Sequence, residues 1–186
     1  MNRRSFTKNT VLAGLGIANY QSIGLNNYPK PYKFNLKYAP HLGMFKNLAG
    51  NDPTDQLNYI ADLGFRAFED NGMRKRNKKL QLKMASTMRK RGIEMGVFVA
   101  HKIYWKKPNL ASGNINLRDE FLDYIKKSIE VSKRLNAKWM TVVPGHVDLK
   151  QNLSYQTAHV IETLKKASSL LEPHELTMVL EPLNFR

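Results

Sequence analysis

Cysteine is absent from all 186 residues. That removes disulfides, thiolate nucleophiles and thiolate metal sites together. Any metal here is left with carboxylate, imidazole or amide oxygen ligands, a donor set suited to Mg, Mn, Co or Zn. Acidic residues are scarce: 15 Asp+Glu stand against 30 Lys+Arg, for a formal net charge of +15. Such an excess fits either a polyanion or membrane-surface partner or a lysine-rich solvated surface. Its spread over several segments, with dense runs only at Arg74–Lys79 and Arg89–Arg91, favours the solvated surface. Long apolar runs are missing too, so no stretch is suited to span a bilayer as a helix. No Gly-x-Gly-x-x-Gly pattern or other phosphate-cradling glycine loop is present, which argues against a dinucleotide-binding sheet. What remains, 42% hydrophobic and 24% charged residues, is the composition of a globular domain.

The N-terminus has a basic head, Met1-Asn-Arg-Arg-Ser-Phe-Thr-Lys8, followed by a short apolar stretch from Thr10 to Ala18. That is the layout of a secretory signal. Arg3-Arg4-x-Phe6-x-Lys8 resembles the twin-arginine export motif, although Asn2 and Thr7 depart from its usual flanking residues. The resemblance implies export to a bacterial periplasm without a stable membrane anchor. Residues 1–30 are read as signal and linker, with the folded domain occupying 31–186.

From about residue 36 short apolar runs alternate with longer amphipathic stretches. The runs Ala39–Phe45, Phe65–Phe68, Ile93–Ala100, Trp139–Val143 and Thr177–Leu180 are nearly continuous, as parallel strands covered on both faces should be. Between them, Asp52-Pro53 opens a helix that ends at Gly64. Leu80, Met84 and Met88 lie on one face of a second, stopped by Gly92. A third follows Asn116, with Phe121, Ile125 and Ile129 inward, and a fourth runs from about Ser154 to Pro173. Met84 and Met88 are read as core filling. Five strands and four helices in strict alternation predict an α/β chain, a partial (β/α)8 TIM barrel. A complete barrel has eight such units in about 250 residues. The barrel is therefore expected to be interrupted after the fifth strand, leaving an open edge, an inactive chain and a tendency to aggregate.

In a parallel barrel the C-terminal strand ends form one rim, where chemistry collects. His41, Glu69 and Asp70, His101, His146 and Glu181 stand at or near those ends. Each has a plain structural alternative, such as a hydrogen-bonded histidine or a glutamate paired with lysine. Glu181 stands out because it closes a buried run, where an uncompensated carboxylate is costly and is expected to be paired or bound to a cation. Pro182 then ends the strand ladder.

Leu180-Glu-Pro-Leu-Asn184 resembles the fifth strand of the hydroxypyruvate isomerase branch of the xylose isomerase-like barrels. Gly64-Phe-Arg-Ala-Phe-Glu69 and Asn136-Ala-Lys-Trp-Met-Thr-Val-Val-Pro-Gly145 are similar to its second and fourth strands, so the likeness spans roughly residues 37–186. The resemblance implies a metal-dependent isomerase or epimerase of a small sugar or hydroxy-keto acid. It implies a divalent metal (Mn, Mg, Co or Zn) whose first ligand corresponds to Glu181, which also exchanges protons next to a carbonyl. The other ligands are expected on later strands. His101, Glu69, His146 and Trp105 fall where substrate is contacted, and Tyr104 with Trp105 is expected to form an apolar wall. The implied partner is a small carbohydrate or keto acid, with no nucleic acid. An endonuclease IV-like repair barrel and a non-catalytic barrel fragment are the alternatives. The first would need more histidines and acids than His41, Glu69 and His101 supply.

Overall fold

The structure, a computed structural model, describes residues 30–183. The export-like N-terminus, and Asn184 of the Leu-Glu-Pro-Leu-Asn stretch, lie outside the described residues. From Tyr32 onward the described residues form one compact unit.

Helix starts are set by side-chain caps. Asp52 accepts from the Thr54 amide at 2.7 Å and from its hydroxyl at 2.6 Å, opening α2 (Pro53–Asp62). These bonds, with Lys83 nearby, hold the Asp52 carboxyl down at about 2. Asn77 caps α3 (Lys78–Arg91), Asn114 caps α4 (Ile115–Leu135) and Asn152 caps α5 (Leu153–Leu171), each through its side-chain oxygen. Gly92 and Asn136 end α3 and α4 in the left-handed conformation. A short α1 (Lys46–Ala49) precedes them. Gly64, at φ +99°, has another reason to be glycine: a Cβ there would collide with the Tyr32 backbone, whose amide bonds the Leu63 carbonyl.

The strands are β1 (Ala67–Phe68), β2 (Glu94–Met95), β3 (Trp139–Val142) and β4 (Thr177–Leu180). β1 pairs in parallel with β2, and β3 with β4, in register Met140–Met178 and Val142–Leu180. A parallel bridge from Val99 to Thr141 joins the two pairs. Each strand thus lies beside the next one in sequence. An open doubly wound sheet reverses its order at a switch point, whereas a barrel wall does not, so the order itself selects the barrel. The core lies between the wall and its helices: Phe68, Phe98, Met140 and Val142 from the wall, with Leu57, Ile60, Met84, Met88, Ile125 and Leu135 from the helices, all buried.

Two strand expectations are corrected. The stretch Ala39–Phe45 contributes one parallel bridge, His41 to Glu69, because Gly43 at φ +104° turns the chain toward α1. Ile93–Ala100 is one pairing at Glu94–Met95 and a second at Val99, not a continuous ladder. The third helix begins at Ile115, ahead of Asn116, because Asn114 is the cap. Among the described residues no helix is long and apolar enough to cross a membrane.

Candidate active site

The C-terminal ends of the strands surround a cavity of about 800 Å³. Asn71, Gly72, Arg74 and Lys75 come from the turn after β1. Val99, His101, Lys102, Ile103 and Trp105 follow β2, Val143 follows β3, and Glu181 with Leu183 follows β4; Tyr124 looks in from α4. His101, Trp105 and Glu181 are therefore gathered at one place.

Glu181 is set by β4. Its amide donates to the Val142 carbonyl at 3.0 Å, extending the ladder by one bond before Pro182. Its side chain is exposed, and it has no hydrogen bond or ion pair with any described side chain. His101 is its opposite. The ring is 2% exposed and lies edge-on to Phe121, centroids 5.0 Å apart. The Val143 amide donates to Nε2 at 3.0 Å, so Nε2 carries no proton. Nδ1 carries it and donates to the Lys102 carbonyl at 2.9 Å. Burial, helped by the charge of Arg74, pushes the ring down to about 4, so it is neutral at ordinary pH. With both nitrogens engaged, it ties the end of β2 to the end of β3. His41 is arranged alike, Nδ1 on the Leu42 carbonyl at 2.7 Å and Nε2 facing the Asn71 amide at a long 3.5 Å.

Trp105 is 55% exposed on the cavity rim, and His146 Nε2 bonds its carbonyl oxygen. His146 thus reaches the cavity through Trp105 and does not line it. Behind this contact Gly145, at φ +89°, lies against the amide of Asn109, which would meet any Cβ placed there. Tyr104 is drawn away: its hydroxyl donates to Glu120 at 2.5 Å and accepts from Lys102 at 2.9 Å. That hydrogen bond is the main reason the Glu120 carboxyl titrates below its usual range. Of the pair expected to form an apolar wall, Trp105 lines the cavity and Tyr104 does not.

Glu69 lines a separate, more open cleft with His41, Phe34, Tyr38, Phe45 and Phe65. Asp70, 2% exposed, is used internally: it bonds Arg76 Nε at 2.5 Å and accepts from the Gly72 amide at 3.0 Å. Sequence reasoning missed Arg74, Lys75 and Tyr124. The signal was the basic run at Arg74–Lys79, which was read only as surface charge. Among the described residues no three His, Asp or Glu side chains cluster as a metal site would need. Glu181 is one candidate ligand, and a single carboxylate does not compete with water for a divalent ion.

Comparison with solved structures gives the fold independent support. An AP endonuclease of family 2 from Brucella melitensis matches at 18% identity and a TM-score of 0.66, over 80% of this chain and 55% of that one. The 3-keto-D-glucoside 4-epimerase YcjR from E. coli matches at 15% identity and 0.61, over 80% and 57%. The IOLI protein, solved with a zinc atom, matches at 16% identity and 0.62, over 80% and 52%. The chain spans about half the length of these proteins, and likeness at such identity speaks for the fold alone. A search of curated protein sequences gave no match. The family model described as xylose isomerase-like TIM barrel matches residues 57–186, and the chain belongs to that family.

Proposed function

We propose that this chain forms part of an isomerase or epimerase that moves a proton on the carbon beside a carbonyl, in a small sugar or a hydroxy-keto acid of the hydroxypyruvate type. The observation that carries this reading is Glu181, a carboxylate at a strand end, exposed to the cavity and not neutralised by any described side chain. A base for carbon acids needs that combination of fixed backbone and unspent charge. Sugar epimerases among the structural neighbours are in keeping with it.

The geometry supports these roles within the proposal. Glu181 takes and returns the proton. His101, neutral and bonded at both nitrogens, positions the Val143 end of the wall beside it. Trp105 supplies an apolar face for the substrate and is held by His146. Glu69, in its own cleft, has a substrate role only if the ligand reaches past Asn71. A divalent metal (Mn, Mg, Co or Zn) belongs to the proposal with Glu181 as one ligand, but the described residues alone do not make its site. The basic, twin-arginine-like head supports export to the periplasm as part of the same proposal.

The test is exchange of substrate C–H for deuterium in D2O, followed by proton NMR, with Mn ions and hydroxypyruvate or a ketohexose. The product of the full reading frame should exchange, and Glu181→Gln should slow it by about 100-fold or more. Equal rates in the parent and Glu181→Gln would remove the glutamate from the chemistry.

A further inference from the structure

The cavity holds more positive charge than its own acids neutralise. Arg74 and Lys75 both line it, and neither has an ion pair among the described residues. Glu181 is the unpaired acid of the cavity lining and balances at most one of the two cations; the other acids that might serve them are already engaged. Asp70 is taken by Arg76 and Gly72. Asp123 pairs with Lys127 at 2.5 Å, and Glu120 is shared between Tyr104 and Lys102. Lys102 therefore enters the cavity largely compensated, whereas Arg74 and Lys75 do not. His101 adds no charge, being locked in its neutral tautomer.

Arg74 is also held in place. Its guanidinium carbon lies 4.5 Å from the centre of the Tyr124 ring, a cation–π contact that fixes the plane of the group. Its Nε is buried and has no hydrogen-bond partner. An unsatisfied buried donor costs about 1–3 kcal/mol, so a fixed guanidinium with an unused donor is unusual without a ligand to take it. Arginine presents its donors as a planar fork that matches the paired oxygens of a carboxylate or phosphate.

We propose that Arg74, backed by Lys75, is an anion subsite that holds a carboxylate or phosphate group of the substrate at the β1 side of the cavity, away from Glu181. This rests on the isomerase reading for what Glu181 does, but not for whether the anion binds. It narrows the substrate to an acidic hydroxy-carbonyl compound, a sugar acid or sugar phosphate, in preference to a neutral sugar. The anchor follows β1 and the base follows β4, and both line one cavity, so an anionic substrate held at Arg74 would present its carbon chain within that cavity to the glutamate.

The experiment is titration calorimetry at low ionic strength on the 186-residue chain, with inorganic phosphate in one arm and D-glycerate in the other. Arg74→Gln with Lys75→Gln is compared with Lys90→Gln with Lys165→Gln, which removes equal charge from exposed positions outside the cavity. Circular dichroism shows that each variant is folded. If Arg74→Gln disturbs the fold, Lys75→Gln alone, at an exposed position, is read instead. The cavity pair should weaken binding at least tenfold and the control pair less than twofold; the arm bound more tightly tells phosphate from carboxylate. Equal weakening by both pairs would mean diffuse attraction to a basic protein and would overturn the proposal. So would binding of a DNA duplex with neither small anion held. Anion binding that depends on Arg74, without deuterium exchange in the full product, keeps the subsite and sinks the isomerase reading. Exchange on neutral ketoses with no anion bound does the reverse.

Discussion

β3 and β4 are hydrogen-bonded to each other over their whole length and are similarly apolar, yet they live in different surroundings. Met140 and Val142 are fully buried, whereas their register partners Met178 and Leu180 are half-buried and 48% exposed. β3 has a neighbour on each side, through the bridge to Val99, and α4 over it with seven buried residues. Among the described residues β4 is paired on one side only, and α5 buries just Gln156, Thr163, Ala167 and Leu171. Apolar composition makes a strand available for burial. Its neighbours decide whether that happens.

The sharpest way to break this comparison is to perturb one apolar side chain on each strand. Met140→Ala should cost about 2–5 kcal/mol in urea unfolding, from lost transfer energy and the cavity left behind. Val179→Thr on β4 should stay within about 0.5 kcal/mol. A large cost at Val179 would mean that this face is covered in solution.

A second prediction concerns the latch between β2 and β3. The folded His101 titrates at about 4, below its ordinary 6.5, so between those values the unfolded chain binds the proton and the folded one does not. Stability should therefore be full above about pH 6.5 and fall as pH drops toward 4, by up to roughly 3 kcal/mol. His101→Gln should remove that slope. If the slope persists in the variant, other groups cause it.

The smallest effect sharpens the contrast between helices. Removing the cap with Asn77→Ala should lower global stability by about 1 kcal/mol. Asn152→Ala, on the thinly buried α5, should show mainly as faster amide exchange within that helix. Equal global losses from both would mean that α5 is as tightly integrated as α3.

Much of this was legible in the residues. Asp52-Pro53, Gly92 and the spacing of Met84 and Met88 defined two helices by local chemistry, which tertiary context did not override. The first strand was not legible: His41 and Leu42 look like part of an apolar run, but Gly43 turns the backbone after one bridge. Of the candidate site, Glu181, His101 and Trp105 could be gathered because each follows a strand. Arg74 could not. Its importance depends on Asp70 being claimed by Arg76, and on Tyr124 lying beneath its guanidinium, 50 residues along the chain. A linear pattern does not reveal which acids are already spoken for.

The consecutive strand order has a consequence for how the molecule assembles and comes apart. Each strand–helix unit touches mainly the unit before it and the unit after it, so the chain behaves more like a stack of repeats than a knot of distant contacts. Units can dock in the order in which they are synthesised, although each parallel pairing must first close over an intervening helix. Force applied to the chain at Leu183 should therefore peel away β4 and then α5, taking Glu181 with them and leaving the Met140 layer standing.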